Sequence, residues 1–198
     1  MKMENKENTV RVDKRPSSIY SMVVFLLVFT AVYVFYPQIS MWIPFLGENR
    51  QIETDYKTVG VADMLDAPVI VVAKCTEKGD TQCVAGGGSV NVYKIVSFET
   101  KDAIVGNAKS EFTLTEQGGS ALVDNGGARK KKYNITYKNA AEFKTGKTYL
   151  LFLTPSGEIL NGKSGAIEEN DDGNFTDLTG KTYSVDEVKA LLDGGEQQ

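Results

Sequence analysis

Lys147-Thr148-Tyr149-Leu150-Leu151-Phe152-Leu153-Thr154 decides how this chain folds. Its five consecutive large apolar residues do not alternate with polar ones, as expected of a strand covered on both faces. Pro155 closes the run, because it cannot donate to a ladder, and Lys144-Thr145-Gly146 is a turn leading into it. The segment is the centre of the expected core. Val69-Ile70-Val71-Val72-Ala73-Lys74-Cys75 has the same character, β-branched and apolar towards both sides, and reads as the first strand of the domain.

Further strands follow from period-2 patterning at Val90 to Phe98, ending in the polar Glu99-Thr100-Lys101-Asp102, at Glu111 to Glu116, and at Tyr133 to Tyr137. Gly86-Gly87-Gly88-Ser89 is a turn. It lacks the lysine, hydroxyl and following helix of a phosphate loop. Asn161-Gly162 and Asp172-Gly173 are hairpin signals on either side of Gly165-Ala166-Ile167. Val61, Met64 and Leu65 recur at helical spacing before Asp66-Ala67-Pro68 stops them. Ser184-Val185-Asp186-Glu187 is a capping box, so a helix starts there, with Val185, Val188, Leu191 and Leu192 as its stripe and Gly194 suited to a left-handed end. The fold class is mainly β with short helices.

Upstream of this domain, Ile19 to Tyr36 is an apolar run of 18 residues without a charge. At about 1.5 Å per residue it makes roughly 27 Å of helix, near the thickness of a hydrocarbon core. No small-residue cleavage site follows it, so it reads as an uncleaved signal-anchor rather than a secretory peptide. Lys2, Lys6, Arg11, Lys14 and Arg15 precede it, against Glu4, Glu7 and Asp13, which predicts a cytoplasmic N-terminus. Tyr33, Phe35, Tyr36, Trp42 and Phe45 form an aromatic group at the expected outer boundary. The organisation is then a cytoplasmic tail over 1–18, a transmembrane helix over 19–36, an interfacial segment and linker over 37–56, and an extracytoplasmic β-rich domain over 57–198.

Setting aside the five cations and three acids of the tail leaves 17 Lys and Arg against 23 Asp and Glu. A net charge of −6 outside argues against nucleic acid as a partner. Within that acidic remainder, Gly118 to Lys132 is the longest segment read as irregular, and it carries Arg129-Lys130-Lys131-Lys132, the one dense cationic run. With Tyr133 and Tyr137 nearby, these four side chains are the candidate ligand-binding residues, suited to the phosphates of an envelope polymer or of lipid headgroups. A solvated loop explains the same run more simply. Cys75 and Cys83 flank a stretch read as a turn around Gly79-Asp80, so they can face each other across a hairpin as a disulfide or remain idle thiols.

The sequence of 198 residues contains no histidine. That removes the Ser-His-Asp, Cys-His and zincin arrangements, and no complete catalytic motif replaces them. No catalytic residue, cofactor or metal ligand is assigned. Glu168, Asn170, Asp172, Gly173 and Asn174 fall at alternating places of a calcium loop, but Thr179 stands where a bidentate glutamate is needed, and a solvated hairpin tip accounts for them.

The order of these features, with Val-Ile-Val-Val-Ala-Lys from Val69, Val-Asn-Val-Tyr-Lys-Ile-Val from Val90 and Phe143-Lys144-Thr145-Gly146-Lys147-Thr148-Tyr149-Leu150-Leu151-Phe152-Leu153, resembles small extracytoplasmic domains of Gram-positive bacteria. These are related to the netrin and metalloprotease-inhibitor module. The resemblance covers most of Val59 to Leu192 and implies an OB-like small β-barrel packed by a C-terminal helix. It transfers no functional residue, because the inhibitors act through an N-terminal cysteine and here both cysteines are internal. The expected function is noncatalytic binding at the cell envelope. The alternative is a structural or regulatory subunit of a membrane protein complex that also uses the transmembrane helix, where Phe29, Tyr33 and Tyr36 share one face.

Overall fold

A computed structural model describes residues 18–42, 47–86, 89–123 and 130–195. The chain divides into two compact units, Met1–Ile39 and Ser40–Gln198. In the first lies most of helix α1, Ser18–Trp42, whose described side chains, Tyr20 to Tyr36, are all exposed. Those side chains cover 17 residues, or about 26 Å of rise. Among the described residues no helix is long and apolar enough to cross a membrane. The helix also runs past Pro37, where the sequence suggested a boundary; a proline removes one backbone bond and bends a helix without having to end it.

The second unit is mainly β. Its strands are β1 (Glu48–Ile52), β2 (Val69–Lys78), β3 (Gln82–Gly86), β4 (Ser89–Val105), β5 (Glu111–Gln117), β6 (Gly119–Val123), β7 (Lys131–Tyr137), β8 (Thr148–Leu153), β9 (Ala166–Glu168), β10 (Phe175–Thr176) and β11 (Thr182–Tyr183), followed by helix α2 (Val185–Gly195). The span 37–56, expected to be a linker, thus includes the end of α1 and a strand. The larger sheet is antiparallel throughout, with β5, β4, β2, β8 and β9 side by side. At its centre β2 and β8 pair from Val69↔Leu153 to Lys74↔Thr148.

This pairing explains the unbroken apolar runs. Ile70, Val72, Leu150 and Phe152 point to one side, where they meet Val61, Met64, Phe175, Tyr183 and Val188. Val71, Ala73, Cys75, Tyr149, Leu151 and Leu153 point to the other, against Val96, Phe98, Leu114 and Phe143. Both central strands are therefore covered on both faces, as their composition requires. In the second core Phe98, Phe143 and Tyr149 meet edge to face, with centroids 5.0 to 6.3 Å apart.

Three departures from expectation have local causes. The Val90 strand does not stop at Glu99: β4 continues to Val105 because β2 offers it a paired edge as far as Ile70↔Val105, and Ile104 and Val105 return to the first core. The helix expected at Val61 to Leu65 is a single 3-10 turn, Val61–Met64, closed by the bond from Gly60 N–H to Asp63 Oδ2 (3.1 Å). Asn161-Gly162 is not a hairpin tip. Both residues are left-handed and open a second 3-10 turn, Gly162–Gly165, inside the long β8–β9 connection.

Among the described residues the strands do not close into a barrel. The chain leaves the larger sheet at Gly118 and Gly119, with φ of +99° and +129°, just after Gly118 N–H bonds Val92 O at 2.7 Å. A Cβ on Gly118 would lie 2.8 Å from Ile135 O, so the corner needs glycine for space as well as for its dihedral. Beyond it β6 pairs with β7, and β7 with β1, in a separate three-stranded sheet. Gly118 to Lys132 is therefore not one irregular segment but the greater part of a hairpin, with 124–129 outside the described residues.

The capping box at Ser184 forms as expected, with Glu187 N–H donating to Ser184 Oγ (3.2 Å) and Ser184 N–H to Glu187 Oε2 (2.7 Å). Gly194 lies within α2 and does not terminate it in a left-handed conformation.

Candidate functional site

The smaller sheet is built on a parallel ladder between β1 and β7, from Glu48↔Tyr133 to Ile52↔Tyr137. Strand alternation gives β7 two faces. Tyr133 and Ile135 point inward, with Ala121, Val123 and Val92, and Tyr137 and Ile52 lie against this cluster. The same side carries Lys131, and through the ladder Glu48 and Arg50, at an end that stays open to solvent.

There the Tyr133 ring becomes a platform. Arg50 Cζ lies 5.0 Å from its centroid and Lys131 Nζ 5.3 Å, while the tyrosine itself is only 5% exposed. Both cations reach the Glu48 carboxylate: Arg50 Nε donates to Oε1 at 2.6 Å, and Lys131 Nζ bonds Oε2. The hydrogen bonds from Lys131 and then Arg50 hold the Glu48 carboxyl below its ordinary range, and the Glu48 bond raises the Lys131 ammonium in turn. Among the described residues one acid thus serves two cations, and Lys130, next to Lys131 in the chain, is exposed. Guanidinium and ammonium groups braced over an aromatic face and still open to water suit an anionic ligand.

The described part of the four-cation run is not one cluster. Arg129 lies outside the described residues. Lys131 and Lys132 point to opposite faces of β7, and Lys132 is buried, with Gly47 packed so closely on it that a Cβ there would sit 2.9 Å from Lys132 Cγ. Tyr137, at the far end of β7, is half-buried and donates to Asn91 Oδ1 (3.0 Å), and burial pushes its phenol up. Arg50 and Glu48 were missed, since nothing in a five-residue polar stretch announces a parallel partner 85 residues away. On the outer face Asn134 Nδ2 bonds Asn49 Oδ1 and Ser120 Oγ bonds Asn134 Oδ1, both at 2.7 Å, in a row across all three strands.

The cysteines are apart. At Tyr93 strand β4 pairs with β5 on one edge and with β3 on the other, so β3 continues the line of β2 instead of folding back on it. Cys75 pairs with Phe98 and Cys83 with Val92, six residues away along β4. That separation is about 20 Å of strand, against about 7 Å at most for bridged Cα atoms. Both thiols are free, Cys75 buried in the second core and Cys83 half-buried, and burial pushes both up.

At the acidic turn, Asn170 Oδ1 accepts from Asp172 N–H (3.1 Å) and Asn174 N–H (2.9 Å), while Glu168 is bonded to Lys144 at 2.9 Å and lies 3.6 Å from Lys147. The carboxylate of Glu168, the side-chain oxygen of Asn170 and the carbonyl of Asn174, which accepts from Asn170 N–H at 2.8 Å, are thus already engaged by the protein. Among the described residues no three acidic or thiol groups gather as a metal would require.

Comparison with known protein families, with curated proteins and with solved structures finds no match to this chain.

Proposed function

We propose that this chain is a membrane-anchored, noncatalytic binding domain on the outer side of a cell envelope of Gram-positive type. Its ligand is a phosphate-bearing envelope polymer, held at the β1–β7 edge. The observation that carries this reading is the Arg50–Tyr133–Lys131 stack, in which, among the described residues, two partly exposed cations share the single carboxylate of Glu48 and leave positive charge for a ligand. The anchor is supported by the uncharged run Ile19 to Tyr36 behind a basic flank, and the envelope by the likeness at Val69, Val90 and Phe143 to Leu153.

Binding is tested with the full chain in nanodiscs of neutral lipid, titrated with polyglycerol phosphate over a range of salt. The R50Q/K130Q/K131Q variant should bind about tenfold more weakly at low salt, with the difference shrinking as the Debye length falls. Equal affinity of variant and parent overturns the assignment. An epitope at the C-terminus that an impermeant reagent reaches on intact cells tests the topology, and one reached only after lysis refutes it.

A further inference from the structure

A second surface lies on the other side of the larger sheet. Between α2 and the end of β4 is a groove of about 830 Å³, floored by Leu65, Ile104, Val105, Leu191 and Leu192. α2 spends Val188 on the first core, with Val185 and Leu192 packed against it, but leaves Leu191 37% exposed in that floor, among the described residues one of the few large apolar side chains outside α1 that face water.

The rim is acidic. Asp63, Asp66 and Asp193 surround the aliphatic floor, and among the described residues none of them is in an ion pair. Asp63 uses one oxygen to accept from Gly60 N–H. Among the described residues the one cation lining the groove, Lys189, is already bonded to Asp102 Oδ2 at 2.6 Å. An aliphatic floor inside an unneutralised carboxylate rim selects against anionic lipid and against an acidic protein face. It suits a segment that presents two or three aliphatic side chains between lysines or arginines.

We infer that this groove is a docking site for a basic amphipathic segment of a partner protein. The inference is independent of the polymer site, since it uses none of the same residues. It gives the domain two faces of opposite sign, one for a polyanion and one for a cationic protein.

The test uses the full chain in nanodiscs of neutral lipid and a synthetic Leu/Lys peptide carrying photo-leucine, with crosslinks mapped by mass spectrometry. Crosslinks should fall on the 62–68 and 189–193 segments. D63N/D66N/D193N should cut their yield about tenfold, and L191D by a similar factor. The variant D171N/D172N, at a turn outside the groove lining, should leave the yield unchanged. A Leu/Glu peptide should not label the groove. Labelling spread over the surface, labelling insensitive to the rim, or equal labelling by the acidic peptide each overturns the inference. So does a groove found crosslinked to a second copy of this chain, which would make it a self-association surface.

Discussion

Truncating Glu116 tests how the second core is held together. Glu116 stands on the core face of β5, two residues after Leu114, with its side chain 7% exposed. Its Oε2 accepts from Phe143 N–H at 2.9 Å and from Lys78 Nζ at 2.8 Å, and Lys94 Nζ lies 3.7 Å from Oε1. Lys78 also donates to Phe143 O at 2.9 Å. A carboxylate and an ammonium thus grip both backbone groups of Phe143, whose ring fills the aromatic cluster with Phe98 and Tyr149. Glu116→Ala strands a buried N–H, at about 1–3 kcal/mol. It also removes the partner of Lys78, but that side chain is 26% exposed and can rehydrate, so this loss is discounted to about 1 kcal/mol. The expected total is about 2–4 kcal/mol. Glu116→Gln keeps an acceptor for Phe143 and should cost only about 1 kcal/mol, chiefly the weakened contact with Lys78. The measurement is urea denaturation of the full chain, read by pulse proteolysis, with an unchanged slope as the sign that only stability moved. An alanine variant within about 0.5 kcal/mol of the parent, or a glutamine variant as damaged as the alanine one, refutes the clamp.

Four further outcomes follow from other places in the fold. Gly118→Ala, at φ +99° with Ile135 O where its Cβ must go, should lose about 1–3 kcal/mol and loosen β6, seen as faster amide exchange over Gly119–Val123. Asp177 is raised by burial but lowered more by the Thr179 hydroxyl and the N–H groups of Val61, Lys181 and Thr179. Because its folded pKa is depressed, its contribution is present above the unfolded value and lost as pH falls through the folded one. Asp177→Asn should therefore be about 1–3 kcal/mol less stable at neutral pH, a gap that closes in acid below the ordinary value of 3.8. Burial pushes the Tyr149 phenol up to about 12, despite the bond it accepts from Lys144 N–H, so its contribution is complete below pH about 10 and lost between about 10 and 12. Tyr149→Phe should flatten that part of the alkaline unfolding curve. Both thiols should be free in the native chain, with Cys83 labelled before Cys75; a linked pair in a non-reducing peptide map would contradict the collinear strands.

The central strands were legible because their composition carries the answer locally. Tyr149 to Leu153 and Val69 to Ala73 have no polar face, so whatever their partners, both sides had to be covered, and β2 and β8 satisfy each other in doing so. The capping box at Ser184 was equally local, since its bonds close within four residues. What escaped were decisions taken between distant parts of the chain. Gly79-Asp80 reads as a hairpin tip, yet the open edge of β4 takes up both flanking segments in one line, so the turn becomes an interruption and the cysteines part. Gly118-Gly119 reads as the start of a loop, yet it is the corner at which a second sheet begins.

The cationic run shows why a pattern of charge is less informative than a pattern of apolar residues. An apolar run has one physical demand, removal from water, and it imposes that demand on whatever surrounds it. A run of cations has none until its backbone is specified. On a loop the four side chains of Arg129 to Lys132 would splay into one patch. On a strand they alternate, and Lys132 passes to the face opposite Lys131 and is buried there. The proposed site is then completed by Arg50, which no count of local charge could have added, because the parallel ladder from Glu48 to Ile52 brings it over Tyr133. Substituting Arg50 alone should therefore weaken polyanion binding more than substituting Lys132 alone. Titration of R50Q and K132Q under the same salt conditions decides it, and a larger loss from K132Q would return the site to the run of four.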